Sequence, residues 1–219
     1  VRGLLSMPFA KESKNKKTDN FLQEKGSLLK VLVNQFNEIG YSVDLYVTNS
    51  ANYGSPQIRE RIFLIGNRYG IKSSFPKPTH SNRDQDKLKP FKTLGDVIGK
   101  GFIDYDKSCM NFSERKLHYL SKIPPGGNWR SLTEDIQKES MGKSWYLKGG
   151  RSAYWRKLSM DFPSPTVVTM PNHAGTSMCH PYELRAITVG EAAAIQEFPR
   201  NYIFFGSVTE KMRQIGNAV

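Results

Sequence analysis

The sequence predicts an α/β fold joined to a small module that is rich in loops and mostly β. An amphipathic helix followed directly by two strand-like segments predicts the α/β part. A second helix with a clear start signal lies near the C-terminus. Between these parts, residues 100–187 show weak periodicity and many Gly, Pro, Ser and aromatic residues, which predicts the loop-rich module.

The first predicted element is a helix over Phe21–Ile39. Its apolar residues recur at three- and four-residue steps on one face, and Gly40 stands where a helix C-cap glycine would. Tyr41–Val47 then alternates polar and apolar residues and is rich in strand formers. After the polar loop Thr48–Glu60, the continuous apolar run Ile62–Ile65 is typical of a buried strand.

The middle of the chain is predicted to consist mainly of loops. Three prolines interrupt Lys72–Lys92, so we place a domain boundary near this stretch, and Thr93–Ile98 reads as a short helix. Further along, Ile123–Asn128 and Leu147–Ser152 are predicted turns because glycines and prolines cluster there.

The C-terminal helix is predicted over Thr188–Ile195. Thr188 and Glu191 form a capping box, in which the hydroxyl caps one free amide and the carboxylate reaches back to another. Phe198-Pro199 ends this helix, and a basic segment, Glu210–Arg213, leads into the last residues of the sequence.

The charge balance indicates a polyanionic partner. The chain has 32 Lys and Arg against 20 Asp and Glu, a net charge of +12 and a pI near 9.7, which fits nucleic acid best. Ser140–Met160 contains no acidic residue but five cations and four large aromatic residues, a composition typical of DNA- or RNA-contacting surfaces. The alternative is that these aromatic residues form a core and the cations line its rim.

Composition also excludes several classes of protein. No apolar run approaches the ~18 residues of a membrane-spanning helix. Cys109 and Cys179 lie far apart, which excludes a disulfide framework and a cysteine-built zinc site. His173 and His180 are too far apart in the sequence to indicate a metal site, and we expect no metal. We also expect a soluble, cytoplasmic protein.

Gly54–Arg61 (Gly-Ser-Pro-Gln-Ile-Arg-Glu-Arg) is the first candidate functional segment, because it lies in the loop that enters a strand. Arg59 and Arg61 alternate along an extended chain and therefore point the same way. Two guanidiniums on one side would clamp a phosphate or a base carbonyl. The alternative is a surface patch of salt bridges.

This segment resembles a signature of cytosine-5 DNA methyltransferases, Gly-x-Pro-Gln-x-Arg-x-Arg followed by a hydrophobic strand. Ser164–Val168 is similar to the Thr-Leu element of that family's target-recognition region, although Val167 replaces the usual Leu. Arg185–Pro199 resembles the segment that ends that region, and Gln214–Val219 resembles the last motif. The four matches come in the family's order.

The departures from the family pattern predict half an enzyme. The chain has no Pro-Cys nucleophile dipeptide and no glycine-rich turn for S-adenosylmethionine, whereas Val1-Arg2-Gly3-Leu4 fits the end of the family's catalytic Glu-Asn-Val motif. The resemblance thus implies the C-terminal half of a Rossmann-like methyltransferase, inactive alone. We expect 1–105 and 201–219 to belong to the cofactor-binding domain and 106–200 to be the target-recognition domain.

The resemblance also implies roles for individual residues. Arg61 would reach the flipped cytosine or its phosphate, with Arg59 and Gln57 organising the same pocket. Thr166 would lie beside a phosphate of the flipped nucleotide. The residues expected to border S-adenosylmethionine are Asn217 and Ala218, although a plain turn residue is the alternative for Asn217.

The partner implied by the resemblance is double-stranded DNA, read in the major groove. By base-edge geometry, Asn172 could pair with adenine, and Arg151 or Arg156 with guanine. Further implied partners are the N-terminal half, in the same chain or as a separate subunit, and the cognate restriction endonuclease of a bacterial restriction–modification system. We expect no membrane partner.

Three other interpretations stay open from the sequence. The chain could be a non-catalytic DNA-binding relative, which the absence of Pro-Cys and Glu-Asn upstream would indicate. It could be a relative of tRNA-cytosine methyltransferases, although the long recognition region argues against this. The least specific alternative is a generic basic α/β domain.

Overall fold

The computed structural model describes residues 26–147 and 151–218, which divide into two compact units. Residues 26–49 and 60–77 form the hairpin unit, and residues 50–59 with 78–218 form the large unit. The strands are β1 (Ser42–Asn49), β2 (Gln57–Ile58), β3 (Glu60–Asn67) and β4 (Ser164–Pro165). The helices are α1 (Ser27–Glu38), α2 (Gly95–Ile98), α3 (Glu114–Leu120), α4 (Glu134–Met141), α5 (Val189–Ile195) and α6 (Val208–Asn217).

The hairpin unit begins with α1, which confirms the predicted helix from Ser27 onward; residues 21–25 lie outside the described residues. Gly40 has a φ of +88° and ends the helix, because its left-handed backbone lets two amides turn back. Its own N–H donates to the Asn37 carbonyl at 2.9 Å, and that of Tyr41 donates to Phe36 at 3.0 Å.

The two predicted strands of the hairpin unit are confirmed as an antiparallel pair. Ser42 of β1 lies opposite Asn67 of β3, and Asn49 lies opposite Glu60. The prediction that Ile62–Ile65 is buried was wrong: Phe63 is 37% exposed and Leu64 36%. Within the described residues β3 pairs with β1 alone, so this two-stranded sheet leaves much of its apolar surface open.

The core of the large unit forms where α2, α5 and α6 pack together, with Val167 and Met178 buried among them. The predicted capping box of α5 is confirmed. Thr188 Oγ1 accepts the Glu191 N–H at 3.0 Å, and a Glu191 carboxylate oxygen accepts the Thr188 N–H at 2.8 Å. This cap fixes the start of a helix whose apolar side faces the core.

The remainder of the large unit is rich in loops, as predicted. Its regular β-structure consists of β2 and β4, which run parallel with Gln57 opposite Ser164. Isolated bridges, such as the one between Cys109 and Thr188, extend the pairing. The sequence did not predict α3 or α4, which border a second buried cluster that contains Tyr119, Leu120 and Met141. The α/β class and the loop-rich module are thus confirmed, and the described part of that module contains more helix than strand, where mostly β-structure was predicted.

Candidate functional site

Gln57 is buried in β2, and both ends of its side-chain amide have partners. Its Nε2 donates to Oε1 of Gln196 over 2.7 Å, and its Oε1 accepts the Val167 N–H at 2.8 Å. Gln196 donates in turn to the Ile215 carbonyl at 2.6 Å. A buried polar group without a partner costs about 1–3 kcal/mol, so these bonds fix the Gln57 side chain. They connect the four segments that carry the family-like motifs.

Arg59 is also buried, and its guanidinium is bonded to three backbone carbonyls. Nη1 donates to Val167 O at 3.3 Å, and Nη2 donates to Gly216 O at 2.9 Å and Ala218 O at 2.6 Å. The last two carbonyls lie at the C-terminal end of α6, where carbonyls lack helical partners and the helix dipole favours a cation. Arg59 therefore holds the end of α6 against the segment that contains Val167.

Two features bring that segment close to β2 and α6. The Thr166 hydroxyl donates its single proton to the Ile58 carbonyl at 2.8 Å. An ionised phosphate oxygen accepts protons only, so this bond uses the donor that a phosphate contact would need. A Cβ on Gly216 would lie 2.8 Å from the backbone nitrogen of Thr169. Only glycine permits this approach without displacement of the backbone.

The predicted cofactor residues lie at the end of α6. The side chain of Asn217 is exposed and makes no hydrogen bond within residues 26–147 and 151–218. Its amide oxygen and nitrogen are therefore both available to a ligand. The carbonyl of Ala218 is engaged by Arg59, which fixes the backbone directly after Asn217.

Arg61 lies on β3 in the hairpin unit and is partly buried. The one side-chain hydrogen bond that it makes to a described residue runs from Nη1 to the Glu60 carbonyl at 2.7 Å. Burial lowers the pKa of its guanidinium, which nevertheless stays charged near neutral pH. Most of its donors are thus available for an anion or a base carbonyl.

An ion pair at the buried carboxylate of Glu191, which the sequence did not predict, supports the start of α5. Arg185 donates both Nη1 and Nη2 to the Glu191 carboxylate, at 2.8 and 2.7 Å, and the carboxylates of Glu191 and Glu183 raise its pKa. Nε2 of the buried His180 lies 3.7 Å from Glu191, while its Nδ1 accepts backbone N–H groups of Tyr182 and Glu183. Burial lowers the pKa of this imidazole. The cluster stabilises α5 rather than presenting a nucleophile.

The residues predicted to read bases are held within their own unit. Arg151 donates to the Ser144 carbonyl at 2.8 Å and to the Trp145 carbonyl. Burial lowers the pKa of Arg156 to about 10. Asn172 donates its side-chain amide to the Asn111 carbonyl at 2.9 Å. Among the described residues, no hydrogen bond joins any of these three side chains to Gln57 or its partners.

The described residues contain no group of metal ligands, and the thiol of Cys179 is buried. Burial raises the pKa of the Cys179 thiol to about 11, so it stays protonated near neutral pH. Within residues 26–147 and 151–218, no three His, Cys, Asp or Glu side chains are grouped to hold a metal ion. In the same ranges, no helix combines the length and apolar character needed to cross a membrane.

Comparison with known proteins adds independent findings. The family model of C-5 cytosine-specific DNA methylases matches residues 19–219. The chain is 36% identical over 234 residues to type II methyltransferase M.Eco47II of Escherichia coli, with all of this chain and 55% of that relative covered. It is 37% identical over 228 residues to type II methyltransferase M.Sau96I of Staphylococcus aureus, with 100% and 52% covered. The chain thus spans about half the length of these curated relatives.

The solved structures agree on the fold. A crystal structure of DNMT2 from Spodoptera frugiperda superposes with a TM-score of 0.51 at 12% identity, covering 88% of this chain and 58% of that one. At this identity the likeness concerns the fold alone.

Proposed function

Since the chain belongs to the C-5 cytosine-specific DNA methylase family, we propose that it forms the C-terminal half of a type II DNA (cytosine-5)-methyltransferase of a bacterial restriction–modification system. In this proposal it binds duplex DNA, holds the flipped cytosine and completes the methyl-donor site. The observation that carries the proposal is the pair of linkages made by Gln57 and Arg59. These linkages join all four motif segments through side-chain hydrogen bonds.

Gln57 and Arg59 are proposed as positioning residues. Both side chains are buried and bonded to other parts of the protein, which suits a structural role. What they fix is the backbone of the segment around Val167 and the end of α6. Thr166, whose hydroxyl is bonded to Ile58, is proposed to fix the same backbone beside the DNA rather than to donate to a phosphate.

Arg61 is proposed as the residue that contacts the flipped cytosine or its phosphate. Base flipping costs a few kcal/mol, which contacts in the pocket and to phosphates must offset. A charged guanidinium with most of its donors available can supply two parallel hydrogen bonds to a phosphate or bind a base carbonyl. A hydrogen bond of this charged kind is worth about 1.5–3 kcal/mol.

The chemistry that this half would serve explains why the base must be held firmly. Cytosine C5 is a poor nucleophile, so in the proposed reaction a thiolate adds to C6 and an acid supports N3. C5 then takes the methyl group, and loss of the C5 proton releases the thiolate. The thiolate is proposed to come from the other half of the complete enzyme, because neither cysteine of this chain lies in a Pro-Cys dipeptide and the buried Cys179 stays protonated. On this basis the present chain is inactive alone.

S-adenosylmethionine is the proposed cofactor and would supply the methyl group. Asn217 suits a place beside it, because its exposed amide has no hydrogen bond to a described residue and can both donate and accept. Ala218 would border the same site through its backbone, which Arg59 holds in place.

The proposed arrangement of domains assigns 1–105 and 201–219 to the cofactor-binding domain and 106–200 to target recognition. The hairpin unit exposes Leu45, Val47 and Leu64 on one face of its two strands, because Leu45 lies opposite Leu64 and Val47 is two residues further along β1. Apolar strand surface of this kind usually packs against another layer. We propose that the N-terminal half of the enzyme provides that layer, with the complete protein acting on DNA in the cytoplasm.

Transfer of labelled methyl groups from S-adenosylmethionine to plasmid DNA tests the proposal. The assay uses this chain with and without an N-terminal methyltransferase half supplied on a second chain. Activity only after mixing is the expected result. Transfer by this chain alone would contradict the half-enzyme assignment. Absence of methyl transfer in both samples, with DNA binding retained, would favour a non-catalytic DNA-binding protein.

A further inference from the structure

Trp129 brings two arginines to one aromatic ring in the large unit. The guanidinium carbon of Arg130 lies 4.5 Å from the ring centroid, and that of Arg151 lies 4.9 Å from it. The residue is only 8% exposed, and its backbone N–H donates to the Tyr154 carbonyl at 3.1 Å. Because the indole is fixed in the core, it is a rigid support for any guanidinium that stacks on it.

The two arginines use this support differently. Nη1 of Arg151 is bonded to the Ser144 and Trp145 carbonyls, which holds this guanidinium against the protein. Arg130 is exposed, and its guanidinium makes neither an ion pair nor a hydrogen bond with any described residue. Its backbone is nevertheless fixed, since its N–H donates to Oδ1 of Asn128 at 3.0 Å in the turn that contains both residues. Arg130 thus combines a fixed backbone with a planar guanidinium whose donors are available.

The surroundings have an excess of donors over acceptors. Four buried side-chain N–H groups near these residues in the sequence have no hydrogen-bond partner in the described structure; they are Trp129 Nε1, Arg151 Nε, Trp155 Nε1 and Arg156 Nε. Neither guanidinium on Trp129 has a carboxylate within ion-pair distance among the described residues. Two like charges on one ring, without a counter-ion, create a positive potential that a polyanion relieves.

We propose that Arg130, held against Trp129, contacts DNA and donates two parallel hydrogen bonds to an adjacent pair of acceptors. That pair is either two phosphate oxygens or the O6 and N7 atoms of a guanine, since both match the guanidinium fork. Trp129 and Arg151 are positioning residues for this contact. The inference rests on the proposed function and moves the DNA contact from Arg151 and Arg156 to a residue that sequence reasoning missed.

The test uses the complete enzyme, in which this chain is joined by its N-terminal half. Bisulfite sequencing of plasmid DNA methylated by the wild-type enzyme first identifies the target site. Duplexes with that site, and random duplexes, are then used to measure affinity and methylation for the wild type, Arg130→Ala and Arg130→Lys. Arg68→Ala is the matched control, because Arg68 is also an exposed arginine, with its guanidinium 4.8 Å from the Tyr41 ring.

The two sources of acceptors predict different results. If Arg130 reads a guanine, Arg130→Ala weakens binding to the target site about 5- to 150-fold, and Lys does not restore it. Replacing that guanine by 7-deazaguanine, which lacks the N7 acceptor, then removes most of the difference between the variants. If Arg130 contacts a phosphate, Arg130→Ala lowers the affinity for all duplexes by the same factor. The slope of log affinity against log salt concentration then falls by about one, and Arg130→Lys restores part of the affinity.

The outcome that overturns the inference is equal affinity and equal methylation for Arg130→Ala and Arg68→Ala, with both variants matching the wild type. An unchanged melting temperature of Arg130→Ala excludes misfolding as the cause of any loss. Failure of the proposed function is distinguishable from this outcome, because the wild-type complete enzyme would then neither bind nor methylate the plasmid.

Discussion

Gln57 and Gln196 lie 139 positions apart in the sequence, yet the side-chain amide of Gln57 donates to that of Gln196 over 2.7 Å. The same pair of side chains reaches Val167 on one side and Ile215 on the other. Any movement of one motif segment is therefore transmitted to the other three through buried bonds. These bonds therefore hold the four motif segments together.

Gln57→Ala is expected to destabilise the protein by about 1–3 kcal/mol, because it leaves the Val167 N–H and the Gln196 oxygen without their partner. For a chain of this size, each kcal/mol lowers Tm by about 2–4 °C, which thermal denaturation resolves. Gln85→Ala is the control, since Gln85 is exposed in the turn Asp84–Asp86. Equal melting of both variants would mean that the network contributes nothing to stability.

Arg61→Ala is expected to reduce methyl transfer by the complete enzyme about 10- to 100-fold, because a charged hydrogen bond to the flipped nucleotide is lost. Its single hydrogen bond to the Glu60 carbonyl contributes little to the fold, so Tm and much of the non-specific DNA affinity should be retained. The measurement is initial rate on plasmid DNA, with melting and filter binding beside it. Unchanged turnover would remove Arg61 from the base pocket.

The sequence predicted best the elements whose signals are local. The capping box of Thr188 and Glu191 and the end of α1 at Gly40 depend on residues within one helical turn, and the structure confirms both. The start of α6 carries the same kind of local signal, since Ser207 and Glu210 form a second capping box.

Properties that depend on distant packing could not be predicted in this way. The buried state of Arg59 requires carbonyls more than 100 positions away, and nothing near it in the sequence indicates them. The same holds for Arg130, which is surrounded by turn residues and acquires its support only when Trp129 enters the core. The exposure of Phe63 likewise depends on which strands neighbour β3.

Gly216→Ala is expected to destabilise the protein and to impair methyl transfer more than its stability loss alone would. The added Cβ would lie 2.8 Å from the backbone of both Thr169 and Val168, so α6 must shift away from the segment that Arg59 holds. Overpacking of this kind costs about 1–3 kcal/mol. Gly175→Ala is the control, because its Cβ would meet no atom closer than 3.6 Å. If the two variants match in Tm and rate, the close approach of α6 has no role.

The buried His180 makes stability depend on pH in a direction that can be stated. Burial lowers its pKa below the ordinary 6.5, despite the carboxylates of Glu183 and Glu191, and Arg185 acts in the same sense as burial. Above about pH 6.5 the imidazole is neutral in both the folded and the unfolded state. As pH falls through 6.5, the unfolded chain binds a proton that the folded chain does not, so stability is lost.

Urea denaturation at pH 7.5 and pH 5.5 measures this loss. His180→Asn keeps an acceptor for the Tyr182 and Glu183 amides that bond to the ring, but it cannot titrate, so its stability should fall less between the two pH values. His118→Asn, at an exposed position on α3, should behave as the wild type does. The same pH dependence in all three proteins would show that the acid sensitivity resides in other groups, because neither substitution removes the carboxylates around Arg185.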